Sequence, residues 1–365
     1  MIMQDIIEIG RKEKSTKFAQ QVIGKRPLFI CTLGNTATAK IPGISAAGAS
    51  PEITDLTPAA DAEYLYYGSC KSIKGVPVTP NGIPTPAVIT KVALELGNIP
   101  FIIAVGGLRA LPQTPYIECG GTPGEDITTG HAVKNARESF ERALTIGKQL
   151  GKMANYLVVG ESIAGGTTTA LGVLIALGIN ALDKISSSMP VNPIDLKRDT
   201  VMKGLKARNL HPGDLKGHPF DAIEALGDPM QPVHAGLVIG AAETVPVLLA
   251  GGTQMSAILA IINEVQPRVL ANIAIGTTKW IISDKSADLP GIVNQISPDV
   301  PIFAANLNFG QFKHPGLNAY EQGIVKEGVG AGGAIIATLW ANSKMNLKKV
   351  YEKLENDYAK LLEQR

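Results

Sequence analysis

Residues 155–178 read NYLVVGESIAGGTTTALGVLIALG: an apolar run, a loop of glycines and hydroxyls, and a second apolar run. Asn155 to Glu161 has strand length and no polar alternation, as in a strand covered on both faces. Thr169 to Leu177 reads as the helix that follows it. Strand, glycine turn and helix are the repeating unit of a parallel α/β sheet. Similar apolar runs with glycine at their ends recur on either side: PLFICTLG from Pro27, FIIAVGG from Phe101, VPVLLAGG from Val245, RVLANIAIG from Arg268 and PIFAANLNFG from Pro301. Between them, Val133, Ala136, Phe140, Ala143 and Leu144 recur at spacings of three and four and continue to Leu150, the stripe of a helix packed on such a sheet.

Further out, Leu347, Val350, Leu354, Tyr358 and Leu361 fall on one face of a C-terminal helix. Ala235 to Gly252 is strongly apolar but holds Glu243 and Pro246, so it reads as a helix followed by a buried strand and not as a membrane span. Residues 35–100 differ, with PGIS, ASPEIT, LTPAADAE and PVTPNGIPTP and no long helical period until Pro86 to Leu96. The expected fold is α/β: a parallel Rossmann-like sheet flanked by helices, with a smaller helical domain built from both chain ends. Residues 27–340 form the nucleotide-binding domain with a substrate-facing excursion at 35–100, and residues 1–26 and 341–365 form the smaller part.

The composition sets limits. Of 365 residues, 45% are hydrophobic and 18% charged, against roughly 25% charged in ordinary soluble domains. That excludes disorder and coiled coil. Lys+Arg 34 against Asp+Glu 32 gives +2, without a basic block, so nothing resembles a nucleic-acid footprint and small-molecule partners are expected. Cys31, Cys70 and Cys119 are isolated, which fits neither a disulfide framework nor a zinc site and suits a reducing cytoplasm. The N-terminal MIMQDIIEIGRKEKST scatters acids and bases through its apolar residues, so no signal peptide is expected.

In open parallel sheets, ligands bind where strand ends meet helix starts. There, Gly165 and Gly166 let backbone approach a ligand, and Thr167, Thr168 and Thr169 add hydroxyls at a helix start, an arrangement that holds phosphate. The same residues also fit a tight turn with a threonine cap. No GxxxxGK[ST] occurs, and the one GxGxxG, at Gly328, Gly330 and Gly333, has no strand before it. Glu161 is an isolated acid at a strand end, and Glu327 precedes a glycine-rich run; two carboxylates on two such loops suit acid–base work on a heterocycle. Lys197 and Arg198, in NPIDLKRD, are the nearest downstream cations, and His314 lies in a loop before Pro315. His131, His211, His218 and His234 lack metal-ligand spacing, so no metal and no cofactor is expected.

Together GESIAGGTTTA, PVLLAGGTQMSAILA, KHPG and KEGVGAGGA, in this order, resemble the nicotinate-nucleotide:dimethylbenzimidazole phosphoribosyltransferase family over roughly residues 150 to 340. PEIT and TPAAD, at Pro51 to Thr54 and Thr57 to Asp61, resemble its divergent archaeal and cyanobacterial branch. The resemblance implies a cytoplasmic homodimer that moves 5-phosphoribosyl from nicotinate mononucleotide to an aromatic base for cobamide lower-ligand synthesis. It implies that Glu327 is the catalytic base and that Glu161 sits near the ribose. Gly165, Gly166, Thr167, Thr168 and Lys197 would hold the phosphate, while Gly251, Gly252, Thr253 and Gly276 would line the nucleotide. Gly166 stands where the bacterial loop has asparagine, and Lys326 where the family pattern has glycine. Two other readings stay open: a non-catalytic nucleotide-binding protein on the same fold, and an enzyme dependent on phosphoribosyl pyrophosphate.

Overall fold

Strands apolar on both faces must be covered on both faces, and the computed structural model, which describes residues 2–363, bears this out. The strands are β1 (Ile6–Ile9), β2 (Leu28–Leu33), β3 (Phe101–Val105), β4 (Ile117–Glu118), β5 (Leu157–Ser162), β6 (Val247–Ala250), β7 (Ile273–Thr278) and β8 (Ile302–Ala305). They form one sheet in the order β1-β8-β7-β6-β5-β2-β3-β4, parallel throughout except where β1 runs antiparallel to β8. Each apolar run quoted above supplies one strand. Between β2 and β5 the strand order reverses: one branch runs through β3 and β4, the other through β6, β7 and β8. At such a switch point the flanking loops diverge and leave a crevice at the carboxyl ends of the strands.

The helices that matter here are α1 (Lys12–Val22), α2 (Pro51–Tyr67), α3 (Ala87–Leu96), α4 (Ala136–Met153), α5 (Gly166–Ala176), α6 (Ile194–Ala207), α7 (Met230–Ala242), α8 (Met255–Val265), α9 (Ala331–Ala341) and α10 (Leu347–Glu363). Successive strand side chains point to opposite faces, so the sheet divides the core in two. Ile30, Leu157, Val159 and Leu249 join Phe140 of α4, Val173 of α5 and Leu237 of α7 on one side. Phe29, Val158, Leu248 and Phe303 join Phe18 of α1, Ile89 of α3, Ile336 of α9 and Val350 of α10 on the other. Helix α5 starts at Gly166, ahead of the expected Thr169, with Gly165 at φ 78° as its cap.

Two expectations are corrected by this geometry. The excursion at 35–100 contains the long helix α2, where none was expected before Pro86. Its start carries ordinary signals: the Ser50 side chain accepts from the Ile53 amide at 3.4 Å and Pro51 takes the first position. Its interior hides it, because Ala59 through Leu65 are buried without a break and Pro58 lies inside, so no amphipathic period shows. Residues 1–26, expected to be helical, also supply β1, paired with β8 from Ile6↔Ala305 to Ile9↔Ile302. The C-terminal stripe is buried as expected and packs α10 against α3. Cys31, Cys70 and Cys119 are free thiols. No described helix is long and apolar enough to cross a membrane.

Candidate functional site

The crevice predicted by the switch point is a cavity between the ends of β5 and β6, the segment before α9, helix α2 and the excursion. Its walls are the β5–α5 loop from Glu161 to Thr167, the serines 186–188, Gly252 to Gln254, Glu327 to Val329, and the stretch from Ile83 to Pro86 with Asp61 of α2. Glu161 and Glu327, singled out on sequence, therefore share one site.

Glu161 is the penultimate residue of β5, opposite Thr32 of β2, and is buried. One carboxylate oxygen accepts from Gln254 Nε2 at 2.5 Å and the other from the Ile163 amide at 3.1 Å. Burial raises its pKa well above the carboxylate range, and the charges of Glu327 and Asp228 push the same way. Glu327 is open to the cavity and enclosed by protein elsewhere. Burial raises its pKa to about 7, although the amides of Gly328 and Gly332 donate to it at 3.1 and 3.2 Å and favour the charged form. The Gly332 amide belongs to the first turn of α9, whose positive end faces the carboxylate. Around Glu327 the backbone is strained: Val325, Lys326 and Val329 hold φ of 71°, 64° and 52°, values costly for any side chain and most of all for the two valines, branched at Cβ. Strain of this kind persists only where packing enforces it, and the Thr278 hydroxyl, donating to the Lys326 carbonyl at 2.7 Å, and the Val329 amide, donating to the Glu161 carbonyl at 2.9 Å, do so here.

A second polar cluster lies behind the serine wall. The Ser186 amide donates to Thr253 Oγ1 at 3.1 Å, its hydroxyl to Asp284 at 2.6 Å, and its carbonyl accepts from Lys197 Nζ. Lys326 pairs with Asp284 at 2.9 Å. Burial alone would raise Asp284, but the hydrogen bonds from Ser186, Lys326 and Ser286 outweigh it and hold the group at about 2. Lys197, buried and near the Lys326 charge, is depressed to about 7. Behind the hydroxyl-lined wall, Lys326 is thus paired with Asp284, and Lys197 is held by the Ser186 carbonyl.

The other expected residues divide. Gly165, Gly166, Thr167, Gly252 and Thr253 line the cavity. Thr168 lies inside the first turn of α5, its amide bonded to the Gly165 carbonyl at 3.0 Å. Gly251 donates to the Gly276 carbonyl at 3.0 Å, and Gly276 faces Gly333, where an added Cβ would come 3.0 Å from the Gly333 Cα. Gly276 therefore lets α9 approach β7 and does not reach the cavity. Lys197 reaches the site only through Ser186. Arg198 is drawn to the surface by Asp183 and Asp195. His314 packs against the Tyr358 ring at 5.4 Å, and His234 is buried with Nδ1 on Thr32 Oγ1 at 2.8 Å. Among the described residues, no group of three or more His, Cys, Asp or Glu side chains is placed to hold a metal ion. The sequence reading missed Gln254, the Ser186–Ser188 wall and Asp61. Gln254 directly follows the expected Gly251–Thr253, and the serine triplet was a visible hydroxyl run; Asp61 gave no local signal.

No family model matches the chain. Among solved structures, CobT from Thermus thermophilus superposes with a TM-score of 0.61 at 15% identity, over 93% of this chain and 92% of that one. A nicotinate-nucleotide-dimethylbenzimidazole phosphoribosyltransferase structure from the same organism gives 0.55, also at 15% identity and over 92% of each. The resemblance read from the sequence motifs thus holds for the fold. Sequence relatives are nearer. A UPF0284 protein from Methanothermobacter thermautotrophicus is 46% identical over 89% of this chain and 91% of its own length. One from Sulfolobus acidocaldarius is 44% identical over 94% of this chain and 99% of its own, and one from Methanopyrus kandleri 39% identical over 99% and 95%. With relatives at this identity matched nearly end to end, the chain belongs to the UPF0284 family.

Proposed function

We propose that the cavity is the active site of a phosphoribosyltransferase that moves the 5-phosphoribosyl group of nicotinate mononucleotide to an aromatic nitrogen base, giving an α-linked nucleotide of the kind that serves as a cobamide lower ligand. The observation that carries this reading is the pair Glu161 and Glu327, enclosed at the sheet's switch point around one cavity, with Glu327 brought to about 7. A carboxylate titrating there can take a proton from a weakly acidic N–H at neutral pH.

Nicotinate mononucleotide carries a pyridinium leaving group, which departs as a neutral ring and needs no acid. The chemical demand falls on the nucleophile. Glu327 takes the N–H proton of the incoming base while the opposite ring nitrogen forms the new bond to the anomeric carbon and the bond to nicotinate breaks. Attack from the far side inverts the β linkage to α. Positive charge grows on the ribosyl carbon in this step, and Glu161, held by Gln254 and kept protonated by burial, serves the ribose as a hydrogen-bonding group. The phosphate is assigned to the Gly165–Thr167 amides at the start of α5 and to the hydroxyls of the serine wall. Holding both reactants at fixed distance supplies much of the acceleration.

The test is nicotinate release from nicotinate mononucleotide, without added metal, in the presence of a panel of aromatic bases. Release that depends on a base is expected. Nucleotide binding seen by calorimetry, with no release for any base, replaces the transferase with a binding protein.

A further inference from the structure

Asp61 is the third enclosed acid of the cavity, and the chemistry proposed above leaves it unused. It lies on α2 and is 2% exposed. Thr85 Oγ1 donates to Oδ1 at 2.8 Å and Ser162 Oγ donates to Oδ2 at 2.7 Å. A carboxylate has about four acceptor positions, so two remain. Among the described residues, no lysine, arginine or histidine lines the cavity. Stapling α2 to β5 needs only a neutral amide or hydroxyl, so a carboxyl here, with acceptor positions left over and no cation beside it, is suited to receive a donor from the ligand.

The place of Asp61 says which part of the ligand it meets. Thr85 sits between Pro84 and Pro86, in an apolar wall continued by Ile83, Val78 and Ile44 that suits the faces of a flat ring. That wall is tied to the Glu327 loop: Tyr320 donates to the Pro84 carbonyl at 2.9 Å, Thr90 to the Val329 carbonyl at 2.9 Å, and Pro86 lies against Gly328. A ring lying on that wall with its N–H at Glu327 therefore has Asp61 on the same wall, between Thr85 and Ser162.

We propose that Asp61 sets acceptor specificity: the base taken by this site carries, besides the ring N–H given up to Glu327, a second hydrogen-bond donor, an amino or hydroxyl group, which Asp61 receives. This rests on the transferase reading and narrows its substrate class. A ring substituted only with methyl groups leaves Asp61 buried without its ligand partner and is disfavoured.

The experiment compares benzimidazole and 5-methylbenzimidazole with 5-aminobenzimidazole and 5-hydroxybenzimidazole, by kcat/KM for nicotinate release and, separately, by calorimetric binding of each base. The native protein should favour the amino or hydroxyl forms at least tenfold. In Asp61→Asn, which keeps the side-chain shape between Thr85 and Ser162, that ratio should fall towards one. A purely structural role would lower all four bases together and leave the ratio intact, which overturns the proposal. So does a native protein that turns over all four alike, an outcome that leaves the transferase reading standing. If no base releases nicotinate, the transferase reading fails, and the calorimetric preference alone decides the role of Asp61: a tenfold preference lost in Asp61→Asn supports it, and equal binding overturns it. Should Asp61→Asn not fold, the preference of the native protein decides in the same way.

Discussion

Glu327 owes its basicity to two opposing influences, enclosure that raises its pKa and the amides of Gly328 and Gly332 that lower it. The balance near 7 sets a sign. A general base works only when ionised, so kcat/KM for nicotinate release should rise with pH through about 7 and level off above it. Glu327→Gln removes the base and keeps the shape; kcat should fall about 10²–10⁴-fold while calorimetry still finds the nucleotide bound. Unchanged turnover would remove Glu327 from the mechanism. Glu161 was legible as an isolated acid at the end of an apolar run, and Glu327 as an acid set just before a glycine-rich run. Asp61 was not, because its neighbours Ala60 and Ala62 place it in an ordinary alanine-rich helix, and its partners Thr85 and Ser162 lie far away in the chain.

Helix α9 is the element on which the site depends most. Its first turn carries the Gly332 amide to Glu327, and it can do so because Gly332 lies directly against the backbone of Thr277 at the end of β7. A Cβ at that position collides with main chain, which cannot swing away as a side chain does. Gly332→Ala should therefore lower stability by about 1–3 kcal/mol, read by denaturant unfolding, and push α9 outward. With the Gly332 amide withdrawn, the charged form of Glu327 loses a donor, so the acid limb of the pH profile should move to higher pH. Unaltered stability and an unmoved limb would mean that the helix start has room to spare. Strand β1 and helix α2 show the other side of reading elements from sequence. Four residues at an edge are too short for a period to register, and a helix buried all round has no stripe to find.

Across the whole molecule, the enclosed acids link stability to pH in an unusual direction. Asp61 and Glu327 are raised to about 7 and Asp228 to about 6, each by burial first. A raised acid binds its proton more tightly in the folded state than in the unfolded one. Its contribution to stability is thus complete below the usual carboxylate range and is lost as pH rises through the folded value. Lys197, depressed to about 7, acts oppositely, but only above that pH, and Asp284, at about 2, matters only below the usual carboxylate range; the buried His234, lowered to about 3, also acts oppositely up to the usual imidazole range, one group against the three raised acids. The melting temperature should consequently be higher at pH 5.5 than at pH 7, by roughly 2 °C or more. A melting temperature that rises over this interval would show these acids ionised in the folded protein.

The sequence by itself determined the sheet, because an apolar run covered on both faces declares itself without knowledge of its neighbours. It also determined where to look, since glycines and acids at the ends of such runs mark the carboxyl edge. Only the tertiary structure decided which of those residues meet. Gly165 to Thr167, Gly252, Thr253, Glu161 and Glu327 converge; Gly251, Gly276 and Thr168 serve packing and helix geometry; Lys197 stands one residue behind the wall. Convergence depends on strand order, and the reversal between β2 and β5 is a long-range fact that no local spacing contains. The acidity of Glu327 and the two hydroxyls held by Asp61 have the same origin, because enclosure is supplied by segments distant in the chain.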